Sequence, residues 1–216
     1  MTKILFLLSR FLDGGIDAVL VDYLRFLAQR EDYRITLAIS IHMGELEVFR
    51  KQIPEQVQVV YLVDQPMLTR WRQQKITQRL PFYIKVYDEA LLSPIRRMMT
   101  GRKLRQLAAQ HDVVIDFDCC HYAYLKSVKT WKVAWFHFSF KQLMEQNRRR
   151  TQRIGNHLRY YDRIVTISQP CSTRARNYSR GWKVVGALSI MPKTSNYCSS
   201  VPVSLSTIHA STTTTF

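Results

Sequence analysis

Six short apolar runs between residues 3 and 168 constrain the fold of this chain more than any other feature. Residues 3–8, 34–40, 57–62, 112–117, 132–136 and 163–168 are rich in Val, Ile, Leu and aromatic side chains and end in turn-forming or polar residues, the pattern of β-strands. Their apolarity is nearly continuous rather than alternating, which predicts strands buried on both faces, as in a parallel sheet. Between the first two runs, Ile16, Val19, Leu20, Tyr23, Leu24 and Leu27 fall at helical spacing, so one stripe of that helix packs on the sheet. The opening is therefore a strand-helix-strand unit, for which a right-handed crossover is expected.

Residues 67–110 hold no strand-like run and read as helices broken near Pro81 and Pro94, with aromatic residues among basic ones. Residues 140–160 read as a further helix carrying Arg148, Arg149 and Arg150. The alternation predicts an α/β class, a Rossmann-like doubly wound parallel sheet over residues 1–170. With 216 residues, 46% of them hydrophobic, the chain buries one sizeable core and falls short of two full α/β domains.

After Pro170 the texture changes. Residues 171–216 contain no Asp or Glu, hold sixteen Ser or Thr, and end in Thr212, Thr213, Thr214, Thr215 and Phe216. An irregular Ser/Thr-rich tail is expected there. It is either a low-complexity segment or sequence translated out of frame after a slip near residue 170. The slip is the preferred reading, because a helix should begin at Ser168 and no helical period follows.

The net charge is +16. Between residues 67 and 105, ten Lys or Arg face only Asp88 and Glu89, which predicts an anionic partner. The apolar start Ile4–Leu8 stops at Ser9 and Arg10 without a small-residue cleavage site, so it reads as a strand and not a signal peptide. No run reaches the roughly 18 apolar residues of a membrane span, and a soluble or peripheral protein is expected. The cysteines at 119, 120, 171 and 198 suit neither an ordinary disulfide nor a metal-binding spacing. A reducing cytoplasm fits them.

In an open parallel sheet, ligands bind beyond the carboxyl ends of the strands. After the first strand come Asp13, Gly14 and Gly15 and then a helix. The glycines allow close backbone approach, and a helix N-terminus offers free N–H groups to a phosphate; a plain tight turn is the alternative. The fourth strand runs into Asp116, Phe117, Asp118, Cys119, Cys120 and His121. That spacing matches no ordinary zinc pattern, so no metal site is assigned and Asp118 is expected to cap a helix. The fifth strand delivers His137 among Phe138 and Phe140, either to hydrogen-bond a sugar hydroxyl or shuttle a proton, or simply to pack in an aromatic cluster. Ser168 ends the sixth strand as a ligand contact or a helix cap. No GxSxG, HExxH, P-loop or paired Ser/His/Asp signature is present.

Taken together, Lys3–Phe6 followed by Gly14, Gly15 and an amphipathic helix, then Lys132–His137, then Tyr161–Ser168, resembles glycosyltransferase family 4, over about residues 1–170. The resemblance implies the N-terminal, acceptor-side half of a two-domain GT-B fold, as in enzymes building bacterial lipopolysaccharide and capsule. It implies transfer from a nucleotide sugar with retention of configuration, without a catalytic metal or cofactor. Gly14 and Gly15 would lie against the donor diphosphate and His137 beside the reacting sugars, with Asp118 and Ser168 as further substrate contacts. The acceptor would be lipid-linked or a saccharide, and the basic segment 67–105 would face anionic head groups. The donor-binding half expected after Ser168 has no counterpart in residues 171–216, so little transfer by this chain alone is expected. Two other readings are a basic nucleic-acid-binding protein, prompted by the charge, and a Rossmann-type dehydrogenase, which lacks its glycine fingerprint here.

Overall fold

Because successive side chains of a strand point to opposite faces, each apolar run divides into two cores. In the computed structural model, Ile4, Phe6 and Leu8 of the first strand go to one face, while Leu5 and Leu7 go to the other. The structure describes residues 1–12, 14–64, 66, 70, 74, 81–137, 140–166 and 184–186.

The strands are β1 (Thr2–Arg10), β2 (Tyr33–Ile41), β3 (Gln58–Val63), β4 (Val113–Asp116), β5 (Trp131–Phe136), β6 (Arg163–Thr166) and β7 (Val184–Gly186). They form one sheet in the order β3-β2-β1-β4-β5-β6-β7. Every pairing is parallel. The order reverses between β1 and β4, the switch point at which such sheets open a crevice.

Helix α1 (Gly15–Ala28) covers the first face through Leu20, Leu24 and Leu27, together with Tyr23. The opposite face is covered by α3 (Ser93–Ala108), the single turn α4 (Tyr122–Leu125) and α5 (Phe140–Leu158), which contribute Leu104, Ala108, Leu125, Ile154 and Leu158. Each fully buried Leu or Phe contributes on the order of 1.5–3 kcal/mol over an exposed one. Both faces are thus sealed by apolar contacts, as the continuous apolarity of the strands requires.

The predicted six strands are present, and two features differ. Pro94 does not break the helix: α2 (Phe82–Tyr87), a π-helical turn at Asp88–Leu92 and α3 follow without interruption. A proline interrupts an α-helix by lacking an N–H and by crowding the carbonyl four residues back. The widened π turn just before it and its place at the start of α3 accommodate both demands. The second difference is β7, in the stretch where no strand period was legible; three residues are too few to leave one, and pairing with β6 is what makes them a strand. Helix α5 agrees with the expected 140–160 but bends at Asn147, whose backbone is extended (φ −156°).

Candidate functional site

A cleft of about 410 Å³ opens over the carboxyl ends of β1, β2 and β3. Ser9 and Arg10 close β1, Ser40 and Ile41 close β2, and Val63 closes β3. The far wall is one stripe of α3, where Ser93, Arg96, Arg97 and Thr100 recur at helical spacing, with Glu89 of the π turn above them. Cys120, His121 and Tyr124, from the segment after β4, complete the lining.

Beneath this cleft lies a chain of buried polar groups. Asp116, at the last position of β4, is fully buried; its Oδ1 lies 3.0 Å from His121 Nδ1, and its Oδ2 accepts from the His121 N–H and from Tyr161 Oη. His121 Nε2 in turn lies 2.7 Å from Ser40 Oγ. Three residue types that carried no Ser/His/Asp signature in the sequence are thus brought together from β2, β4 and the loop after it, 81 residues separating Ser40 from His121. With Nδ1–H given to Asp116, a neutral imidazole accepts the Ser40 hydroxyl proton at Nε2. A protonated one donates to Ser40 Oγ instead, which frees that hydroxyl proton for a ligand.

Burial pulls the His121 pKa down, but the charge and hydrogen bond of Asp116, with Asp118 behind them, more than reverse this and hold it above the ordinary value. Tyr161 is pushed well up by burial and by Asp116, so it remains a donor.

Asp118 caps no helix, contrary to expectation: α4 starts after His121 and has no side-chain cap. Its Oδ2 accepts from Ser9 N–H at 2.8 Å and its Oδ1 from Cys120 N–H at 3.1 Å, which ties the end of β1 to the loop after β4. Burial raises its pKa, with His121 opposing and Asp116 assisting. Between them, Cys119 adopts a left-handed backbone (φ 52°), uncommon for a residue with a side chain. Its thiol donates to Trp135 O.

Asp116, Asp118 and His121 place their ligand-type atoms within 4.8 Å of one another. Every carboxylate oxygen there already accepts an N–H or O–H. A cation would have to displace those bonds, so the cluster is built as a hydrogen-bond network.

Gly14, Gly15 and His137 are not among the residues that line the cleft. Gly14 caps α1 and Gly15 opens it. The buried carboxylate of Asp17 accepts from the N–H groups of Gly14 (3.1 Å) and Leu12 (3.2 Å), so the turn already holds an anion of its own. A Cβ on Gly14 would sit 3.3 Å from Asp17 Oδ2, whereas one on Gly15 would meet nothing within 4 Å.

His137, beyond β5, packs 4.8 Å from the Phe117 ring and 6.2 Å from that of Trp135. Burial lowers its pKa to about 4, against a hydrogen bond donated to the Phe117 backbone carbonyl that raises it. It is therefore neutral near pH 7, suited to hydrogen bonding and not to carrying charge. Its Nε2 is buried and has no hydrogen-bond partner among the described residues. Phe138 and Ser168 lie outside the described residues.

Ser40 is not marked in the sequence, since an isolated Ser carries no period or motif, and Arg96 enters there only as one of the ten basic residues of segment 67–105. Asp116 and His121 stand out there only as doubtful metal ligands.

The strand order, the crevice at the switch point and the helices on both faces find their match among solved sugar-transferring enzymes. The HepE structure from Anabaena, in complex with UDP and glucose, superposes with a TM-score of 0.55 at 15% identity, over 86% of this chain and 44% of its own. UGT2 of Phytolacca americana matches with a TM-score of 0.55 at 12% identity, over 90% and 53%. The fold is half of a GT-B fold. The lipopolysaccharide outer core galactosyltransferase WaaB also matches this GT-B half, with a TM-score of 0.51 at 11% identity, over 86% of the chain and 44% of its own. The chain thus spans about half the length of these GT-B structures. No protein-family model matches the sequence, and neither does any curated protein.

Proposed function

We propose that this chain is the acceptor-side half of a nucleotide-sugar-dependent glycosyltransferase. In this reading the transfer retains anomeric configuration and the acceptor is lipid-linked or a saccharide of the lipopolysaccharide type. The observation that carries the reading is the coincidence of fold and cleft: a GT-B half sheet with a hydroxyl- and arginine-lined cavity at its switch point. Ser9, Ser40 and Thr100 suit a polyhydroxylated ligand, because a hydroxyl both donates and accepts. The His121 relay sets which of the two Ser40 does.

Gly14 and Gly15 let the donor diphosphate lie against the start of α1, through the open space at Gly15 while Asp17 keeps the Gly14 N–H, and His137 Nε2, unpartnered among the described residues, takes a sugar hydroxyl. Asp118 acts indirectly, by holding Ser9 in place, and Ser168 completes the donor side from beyond β6. The reading requires no cofactor, the nucleotide sugar being a substrate.

The helix from Phe82 onward supports a peripheral place on an anionic membrane. Phe82, Tyr83, Leu91 and Met98 are more than half exposed, with the exposed Lys85, Arg97 and Arg102 among them. No helix among the described residues is long and apolar enough to cross a membrane.

The test is a titration of the isotope-labelled chain, followed by backbone amide resonances. UDP-glucose is expected to perturb Gly14, Gly15 and His137, and a short oligosaccharide to perturb Ser9, Ser40 and Thr100. If neither ligand moves its set, the reading falls.

A further inference from the structure

The cleft's α3 wall holds a charge that a neutral sugar does not explain. Arg96 lines the cleft with a side chain only 7% exposed. One terminal nitrogen, Nη2, is paired with the buried Asp88 Oδ1 at 2.5 Å. The other, Nη1, is buried and has no hydrogen-bond partner among the described residues. A buried donor left unpaired costs about 1–3 kcal/mol, more for a charged group, and natural structures leave few such atoms unexplained.

The arrangement that creates it is specific. The π turn at Asp88–Leu92 widens the helix one turn before Arg96, and Asp88 comes from that turn to hold Arg96 by one side of its guanidinium fork. Ser93 and Thr100 present hydroxyls one turn before and one turn after Arg96 on the same cleft wall. Across the cleft, Arg10 at the end of β1 is exposed and makes no ion pair among the described residues. Arg97 also lines the cleft and lies 3.6 Å from Glu89, the acidic residue of that lining. Three arginines therefore meet two carboxylates, Asp88 and Glu89, around a cavity of about 410 Å³, which leaves Arg10 and the second arm of Arg96 for a ligand.

We infer that the acceptor carries an oxyanion, a phosphate ester or a carboxylate on its saccharide, which Arg96 Nη1 and Arg10 grip from opposite walls while Ser93 and Thr100 complete its hydrogen bonds. Guanidinium forks match the planar geometry of such groups, and bonds to charged partners are about twice as strong as neutral ones. This assignment rests on the glycosyltransferase reading and narrows its substrate class. It also gives Asp88 a role: by occupying one arm of Arg96 it fixes the other in a single direction.

The experiment compares three probes by calorimetry on the full chain: a neutral oligosaccharide, the same oligosaccharide carrying one phosphate ester, and inorganic phosphate. The phosphorylated saccharide is expected to bind at least about tenfold more tightly than the neutral one at low salt, with the advantage shrinking as salt rises. Arg96→Lys keeps a cation against Asp88 and removes the second arm, and it is expected to cut most of the advantage of the phosphorylated over the neutral saccharide. Arg10→Gln, at an exposed position that does not threaten folding, is expected to reduce the advantage independently.

Equal binding of the two saccharides, or an advantage untouched in both variants, overturns the oxyanion assignment while leaving the glycosyltransferase reading in place. Inorganic phosphate binding as tightly as the phosphorylated saccharide also overturns it, marking a site for the free ion. Failure of both saccharides to bind removes the acceptor reading itself, and this assignment with it.

Discussion

Two histidines stand beyond the carboxyl ends of neighbouring strands of one sheet, and their surroundings give them opposite chemistry. His121, beyond β4, has every polar atom engaged: Asp116 on Nδ1 and on the backbone N–H, and Ser40 on Nε2. His137, beyond β5, lies against the rings of Phe117 and Trp135, with Nε2 unpartnered among the described residues. His121 is fully buried and His137 partly so, and burial alone pulls both pKa values down. A carboxylate at hydrogen-bond distance reverses the direction for one, while aromatic faces leave the other at about 4. A histidine at a strand end is therefore not a functional type until its neighbours are known.

The largest effect that can break this contrast is expected from Asp116→Ala. It strands His121 and Tyr161 together in a buried site, and a loss of about 3–5 kcal/mol in urea unfolding follows from uncompensated buried partners. A loss under about 1 kcal/mol would mean that the relay is open to water and does not hold the cleft floor.

The second test is the pH dependence of His137→Phe. The folded pKa of His137 lies below its unfolded value of 6.5, so the unfolded chain takes up a proton that the native chain refuses. The wild type loses stability as pH falls from about 6.5 to about 4, while the phenylalanine variant lacks this loss. The stability gap between the two is expected to shift by about 3 kcal/mol in the variant's favour over that window. His121 has the opposite sign. Its raised pKa contributes stability below the ordinary value that is lost as pH rises through the folded value, so a gap that shifts on the alkaline side instead would implicate His121.

The smallest effect belongs to Ser40→Ala, about 1 kcal/mol for one hydrogen bond at the edge of a cleft. Its sharper readout is the imidazole titration of His121 by nuclear magnetic resonance, expected to move after loss of the Nε2 partner. An unmoved titration would detach Ser40 from the relay.

The motifs behave in the same way as the histidines. The Tyr161–Ser168 segment is a family-like string, and the structure gives part of it a physical purpose. Tyr161 donates to Asp116, and Asp162 Oδ2 accepts the Lys132 N–H at 2.7 Å. These contacts fasten β5 and β6 to the base of the site. Asp118 serves a different purpose from the helix cap its place in the sequence predicts, since a carboxylate after a strand fits capping as well as it fits a bond to a distant loop.

The sequence by itself determined the strands, their parallel pairing and the helical faces that cover them. Those properties are local or periodic: a continuous apolar run has to be buried on both sides, and a helical stripe has to face the sheet. It also pointed to the carboxyl edge where the cleft lies. Only the tertiary structure decided which residues meet there. Ser40, Arg96, His121 and Asp116 come from separate elements, and their protonation and partners depend on distances of a few ångströms that no spacing along the chain records. Pro94 and β7 differ from expectation for the same reason: a π turn absorbed the one, and pairing with β6 created the other.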